Sequence, residues 1–421
     1  MTLNMNTIPK FNIKVIDLKN EIDIKNYFFD KNYLKKRNVY WKNSDLEVVG
    51  VDFIVSSDFS NQKEYLDLIT YYKSIIKANN TVLKSFDVPL IFMGSAFNLN
   101  EDFQDSIWQD FPKGRIFIPK ILIISNKTEK KILQFDLDRD TKNPILDTLD
   151  IELKKCNLGL INETDADNYK SRINKAIKIM QTEDVSKIVL SRKKTYSINS
   201  KETLLSHFTS NRCENNTTKF VLDFQELGTV FGNSPEKLFS ISNKHLETEA
   251  IAGSFKTSQN IDLNQRKKEI EEHNFVVDYL KIQLSNFSKN IKIYDNEIMN
   301  LKKISHLRTK LESNIHQNYD VFDIIYKIHP TPAVGGTPKK ISIEKISKLE
   351  NHNRGWYAGT LGWISNKLDA HFIVNIRSGV IKENLLNIYA GCGITKDSNT
   401  EEEYNESEMK FDYILSNLNN E

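Results

Sequence analysis

The apolar positions of this chain change period several times. In Val48–Ser56 (VVGVDFIVS), Val88–Ala96 (VPLIFMGSA), Arg115–Ser125 (RIFIPKILIIS) and Lys131–Phe135, Val, Ile and Phe crowd between polar turns, which predicts strands. Between the first two, Gln62–Ala78 has helical spacing. Tyr169, Ile173, Ala176, Ile177 and Met180 recur at the same spacing and predict an amphipathic helix packed by one face. Strands are predicted again at Ser186–Ile198, at Phe220–Phe224, at Gly228–Ile241 with an interruption at GNSPE, and at His245–Ala252. Trp356–Ile364 and His371–Ile394 supply more. A long helical pattern covers Asn264–Phe287, and a helix from about Thr400 closes the chain. Residues 144–167 are polar, include Pro144, and read as a surface connection or a helix with a loop. Strand and helix patterns are both plentiful but do not alternate regularly. That favours an α+β fold with antiparallel sheets over a doubly wound one.

Composition sets outer limits. The chain has 421 residues, 39% of them hydrophobic, enough for one large domain or two to three ordinary ones. Lys and Arg total 58 against 56 Asp and Glu, a net charge of +2, so no nucleic-acid partner is expected. Cys156, Cys213 and Cys392 lie far apart and form neither a CxxC metal spacing nor a disulfide framework. The N-terminal MTLNMNTIPKFNIKVIDLK has no apolar signal core, and no stretch approaches the ~18 apolar residues of a membrane helix. The expectation is a soluble cytoplasmic protein with no membrane partner.

Two acidic clusters are the first candidate chemistry. In TEEEYNESEMK, Glu403, Glu406 and Lys410 share one helical face, while Glu401, Glu402 and Glu408 fall largely elsewhere. Taken alone, such a run reads as a solvated helix face whose first-turn acids suit the helix dipole. In KKEIEEHNFVVDYL, Glu269 and Glu272 stand at i, i+3, with Ile270, Phe275, Val276 and Leu280 expected on the apolar side across from them. Two helices each offering a Glu pair could build an oxygen-rich pocket of the kind Mg²⁺ prefers. Spacing alone does not decide for a metal. Gly391 and Gly393 lie between a strand and the closing helix, where backbone N–H groups could bind a carboxylate with Arg377 and Lys410 as countercharges. An ordinary tight turn explains them equally well.

Taken in order, the pieces resemble the chorismate-utilising enzymes. They are KIVLSR (187–192), GNSPEKL (232–238), TEAIAGS (248–254), EIEEH (269–273), SHLRTKLES (305–313), IHPTPAVGGTP (328–338), RGWYAGTLGWI (354–364), FIVNIRSG (372–379) and YAGCGI…EYNESEMK (389–410). They span about residues 165–415, the C-terminal three-fifths. The resemblance implies an α+β unit of two packed antiparallel β-sheets flanked by helices. Residues 1–160 would be the variable N-terminal half of that unit, and 165–421 the chorismate-binding catalytic region. Within the family the isochorismate synthase branch is the nearest match. It implies Mg²⁺ as cofactor, chorismate and isochorismate as substrate and product, and a monomer or weak homodimer. The implied reaction adds water at C2 of chorismate and expels the C4 hydroxyl.

The site residues follow from the resemblance, position by position. Glu272 and Glu406 match direct metal ligands, and Glu269 and Glu403 match carboxylates acting through metal-bound water. Tyr357, Arg377, the backbone at Gly391 and Lys410 match binders of a substrate carboxylate. His306 matches a residue near the substrate ring, and Gly253 and Ser254 match the substrate-binding pair of the AGS segment. Lys187 matches the general base that activates water. A lysine with an ordinary pKa near ~10.4 is mostly protonated at neutral pH, so that role requires a setting that favours its neutral form. Glu236 matches the general acid for the departing hydroxyl, which requires a raised pKa. Without the family pattern, Lys187 reads as a surface lysine and Glu236 as a turn carboxylate.

Three positions discriminate among the family's reactions. Lys187 goes with water as nucleophile, where ammonia-using relatives generally carry glutamine. Ala252 stands where some aminating members carry a nucleophilic lysine. Ala333 stands where members that eliminate pyruvate tend to have threonine. A salicylate synthase, an aminating synthase and a non-catalytic chorismate-binding protein are the competing readings. Ser254 departs from the usual threonine, Asn233 and Cys392 from small residues, and the segment after Ser254 is short.

Overall fold

A computed structural model of the chain describes residues 7–19, 21–30, 35–137, 157–163, 165–256, 267–301 and 304–418. Most of the 144–167 connection, Cys156 and the short segment after residue 256 lie outside these residues.

Every strand pairing among the described residues is antiparallel. The long strand Gly114–Asn126 is the corner of the architecture. It pairs along its length with Leu46–Phe59, and on its other edge first with Pro89–Ser95 and then with Lys130–Asp136. From Leu46–Phe59 one sheet continues through Asn38–Lys42, Thr218–Asp223, Thr229–Ser234, Ser378–Lys382 and Leu385–Ile394 to Lys187–Ile198. From Pro89–Ser95 the other runs through Thr360–Ser365, Ala370–Val374, Lys237–Ser242 and His245–Lys256 to Ile304–Ile315. Strands from before residue 137 therefore sit inside both sheets, paired with strands from after residue 165.

The apolar crowding that predicted these strands has its physical cause in the core. Pro89–Ser95 is buried at every position and reads as a continuous apolar or neutral run, while Thr218–Asp223 is equally buried but carries Lys219 and Asp223. Helices cover the outside. Gln62–Ala78 is capped by Asn61, whose side chain accepts from the Glu64 N–H, and buries Tyr65, Leu68, Tyr72 and Ile75. Ala166–Thr182 buries Tyr169, Ile173, Ala176 and Met180 as the spacing predicts, with Ile177 half-buried.

Two local expectations need correction. Trp356–Gly359 is turn rather than strand, which begins at Thr360. Gly355 and Ala358 adopt positive φ there, and an added β-carbon on Gly355 would overlap the Trp108 ring. In the helix Lys267–Ser285 the buried stripe is His273, Val276, Leu280 and Leu284, with Ile270 and Phe275 only half-buried. Glu269 and Glu272 precede His273 and Val276 by one turn, so they continue the inward stripe instead of facing away from it. The helix packs its apolar length on the second sheet and carries its acidic first turns past the end of the apolar contact.

Candidate active site

The two sheets and the N-terminal ends of the helices Lys267–Ser285 and Thr400–Ser416 enclose a cleft of about 650 Å³ that opens to solvent. Glu236, Gly253, Ser254, Glu272, His306, Ala333, Tyr357, Arg377, Gly391, Glu406 and Lys410 line it. Lys187, Glu269 and Glu403 stand behind that lining. The structure thus gathers residues spread from 187 to 410 of the chain.

The closing helix behaves as its sequence partner does. Asn399 caps it by accepting from the N–H groups of Glu401 and Glu402. Glu403, Ser407, Phe411 and Ile414 are its buried face, and Glu401 and Glu402 are exposed. Glu401 pairs with Lys170 at 2.7 Å, and Glu408 pairs with Arg192 at 2.6 Å and Lys194 at 2.7 Å. The cluster therefore divides into a solvated and structural part and an inward part, Glu403 and Glu406.

Glu272, Glu406 and Glu403 each meet an ammonium. Lys187 opens the strand Lys187–Ile198, is fully buried, and puts Nζ 2.9 Å from Glu272 Oε1. A β-carbon on Gly393 would overlap both the Glu272 carboxylate and the Lys187 stem, so only glycine allows that approach. Lys410 Nζ lies 2.6 Å from Glu406 and also donates to the Gly391 carbonyl at 2.6 Å. Lys268 pairs with Glu403, which also accepts from Ser398 Oγ at 2.8 Å. Burial, then the Glu406 charge, pushes the Glu403 carboxyl up. Burial acts the same way on Glu406, but Lys410 and Lys268 among its neighbours together bring that carboxyl below its ordinary value.

Glu236 occupies the predicted break between Thr229–Ser234 and Lys237–Ser242. Its backbone N–H donates to Ser234 Oγ at 3.2 Å and its carbonyl accepts from Val374 N–H at 3.0 Å, which fixes the turn. Among the described residues its carboxyl receives only a long hydrogen bond, from Thr331 Oγ1 at 3.5 Å. Burial pushes it up to about 7, against the opposing pull of the Lys187 charge, Thr331 and Lys410. Thr331 also accepts from Ala333 N–H at 3.3 Å, so the loop bearing Ala333 and the Glu236 carboxyl share one hydroxyl.

On the opposite wall Arg377 is buried, at a positive φ of 52°. Its Nη2 donates to His306 Nε2 at 3.3 Å, its guanidinium lies over Tyr413, and Nη1 has no hydrogen-bond partner among the described residues. A buried guanidinium with a spare N–H at a cleft suits a carboxylate ligand. Tyr357 stacks on Tyr389 at 5.1 Å, and a β-carbon on Gly391 would stand 3.1 Å from the Tyr357 hydroxyl.

Residues 9–419 match the family described as chorismate binding enzyme. The chain belongs to that family. It is 24% identical over 415 residues to isochorismate synthase MenF of Bacillus subtilis, covering 91% of this chain and 88% of that one. It is 27% identical over 350 residues to anthranilate synthase component 1 of Saccharolobus solfataricus, covering 78% and 82%. The fold matches the solved structure of MenF, the menaquinone-specific isochorismate synthase of Escherichia coli. There the TM-score is 0.76 and the identity 21%, over 98% of this chain and 96% of that one.

The site of this chorismate-binding enzyme also contains residues that spacing did not single out. Lys268, the partner of Glu403, sits inside the quoted KKEIEEH, but nothing local distinguishes it from its neighbour Lys267. Arg354 belongs to the quoted RGWYAGT. It pairs with Glu350 at 2.7 Å and donates to the carbonyls of Val189 at 2.7 Å and Val334 at 2.8 Å. Glu350 in turn accepts from Ser191 N–H at 2.6 Å. This buried pair ties the Ala333 loop to the strand that carries Lys187.

The donors that converge lie at the closing helix, and Glu269 and Glu272 of the other acidic helix end are not among them. Among the described residues, Cys392, Glu403 and Glu406 bring ligand atoms within 4.8 Å of one another. Burial holds the Cys392 thiol well above its ordinary value, and its Sγ donates to the Glu403 carbonyl at 3.2 Å. What remains is carboxylate oxygen, a set that fits a hard divalent cation and not a thiolate-seeking one. No described helix is long and apolar enough to cross a membrane.

Proposed function

We propose that this enzyme is an isochorismate synthase that interconverts chorismate and isochorismate. The reading rests chiefly on one observation: Glu236, a buried carboxyl pushed up to about 7, faces the cleft within electrostatic reach of Lys187. The two are a potential acid and base for opposite ends of one displacement. Lys187, an ammonium paired with Glu272 at 2.9 Å in this structure, must first give up its proton; the neutral amine then takes a proton from the water that adds at C2, the ring double bond shifts, and the C4–O bond breaks. Glu236 gives its proton to the departing hydroxyl, which leaves as water. One water enters and one leaves.

Arg377, with its spare N–H, and Tyr357 bind one substrate carboxylate. Glu272 and Glu406, with Glu269 and Glu403 beside them, would hold a bound Mg²⁺, and such an ion would supply positive charge for the other substrate carboxylate. Ala333, whose N–H is bonded to the Glu236 partner Thr331, brings only a methyl group of its own to the cleft, where a threonine would add a hydroxyl, and favours stopping at isochorismate. The relatives named isochorismate synthase support the same reading. Incubation with chorismate and Mg²⁺, followed by chromatography of products, tests it. Isochorismate with little salicylate or anthranilate is expected, and dominant salicylate or an amine-dependent product overturns it. EDTA abolishes turnover if the metal assignment holds.

A further inference from the structure

A second cleft, of about 710 Å³ and open to solvent, is lined from the helix Ala166–Thr182, the strand Lys187–Ile198 and the segment before Arg354. Glu163 and Asp165 are exposed at its rim, while Arg172 and the His352 side chain are its buried part. None of these residues lines the catalytic cleft.

Arg172 is 8% exposed, and its Nη1 has no hydrogen-bond partner among the described residues. It forms no ion pair among them either. The carboxylate charge it feels is that of Glu350, which Arg354 and Ser191 N–H already occupy. The other cation of the cleft is engaged, with Lys193 Nζ 2.5 Å from Asp105. The helix end is closed too, since Asp165 accepts from Asn168 N–H at 2.9 Å. A buried guanidinium without a counter-charge is costly, and a bound anion would offset that cost.

His352 supplies a second open group. Its side chain is 3% exposed, Nε2 lies 3.0 Å from Ser191 Oγ, and Nδ1 has no partner among the described residues. Burial brings the imidazole down to about 4, with Glu350 opposing and the Lys193, Arg354 and Arg172 charges adding to the fall. The ring is therefore neutral and carries one N–H. When the Ser191 hydroxyl donates to Nε2, that hydrogen sits on Nδ1 and is free for an acceptor. A guanidinium edge and one N–H suit a carboxylate. The exposed Glu163 and Asp165 oppose phosphate, with its higher charge, more than a monoanion. The amides of Asn162, Asn168 and Asn351 favour a polar body over an apolar one.

We propose that this cleft is a binding site, separate from the catalytic one, for a small polar monocarboxylate held by Arg172 and His352. Sodium lactate is the probe, with sodium chloride keeping the ionic strength constant. The full chain carries ¹⁵N-labelled histidine, and the His352 resonances are identified by their loss in His352→Gln. Lactate should shift them saturably, with Nδ1 of pyrrole type in the bound state. Arg172→Met keeps the aliphatic stem and removes the charge. It should weaken lactate by about tenfold or more, the scale of a hydrogen bond to a charged group, and should melt no lower than the parent. Phosphate should bind more weakly than lactate. Unmoved His352 resonances, an affinity unchanged in Arg172→Met, or tighter binding of phosphate each overturn the assignment. So does a lactate response confined to His306, which would place the anion in the catalytic cleft. A lower melting point for Arg172→Met would show a guanidinium already paired, with the same consequence. The readout uses neither chorismate nor a metal, so it is independent of the function proposed above.

Discussion

Two buried carboxylates on either side of the Lys187 strand have opposite fates. Glu236 is 4% exposed and the Glu350 side chain 3% exposed, so burial bears on both alike. Glu236 has one long hydrogen bond and rises to about 7. Glu350 has two hydrogen bonds from Arg354 and one from Ser191 N–H, and these pull its carboxyl below the ordinary value despite burial. Desolvation sets the tendency of a buried acid, and the number of charged partners decides whether it keeps a proton. The poorly satisfied carboxyl is on the cleft, and the saturated one is a brace beneath it.

Exchanging each acid for its amide should separate the two most sharply. Glu236→Gln should lower turnover by roughly 10²–10⁴ while the protein melts no earlier than the parent, because a neutral amide suits that site. Kinetics beside thermal melts check this, and near-full turnover in the variant would end the general-acid assignment. Glu350→Gln should do the reverse, since removing one partner of a buried pair costs about 3–5 kcal/mol and leaves Arg354 uncompensated. Denaturant unfolding measures the loss. Unchanged stability would make Glu350 a bystander.

A smaller effect is expected between the two sites. Ala333 is bonded through Thr331 to Glu236, and its neighbour Val334 is held by Arg354. Ala333→Thr should add salicylate and pyruvate at the expense of isochorismate, a shift of about tenfold in product ratio for ~1.4 kcal/mol. A coupled pyruvate assay with chromatography reads it, and an unchanged ratio would remove Ala333 from product choice.

A further effect is in pH. The raised Glu236 contributes stability that is complete below its unfolded value of about 4.5 and is lost as pH rises through about 7. The lowered Glu350 contributes stability above that value, lost as pH falls through its native one. The melting advantage of Glu236→Gln over the parent should therefore grow between about pH 5 and pH 8. A constant difference would mean that Glu236 is ionised throughout.

This contrast also marks what the sequence could tell. The helix Gln62–Ala78 and the break at GNSPE were legible because periodicity and Pro235 are local signals. The residues of the cleft were legible as a family pattern. The glutamates of the middle helix were misplaced across from its apolar side because helical spacing shows which residues share a face but not where the covering sheet ends. The Glu350–Arg354 brace was missed although Arg354 lay in a quoted segment. Two of its acceptors are the carbonyls of Val189 and Val334, and no side-chain code announces a carbonyl.

The interleaving of early and late strands has a consequence for synthesis. Ser95 and Thr360, side by side with hydroxyls 2.8 Å apart, are separated by 265 residues. As the chain leaves the ribosome, Pro89–Ser95 can pair with Gly114–Asn126 early, but its other edge waits for Thr360–Ser365. Such long-range pairing slows folding and leaves an open apolar edge exposed to association. Truncated nascent chains ending before residue 360 should therefore hold chaperones, and release from them should coincide with the arrival of the late strands.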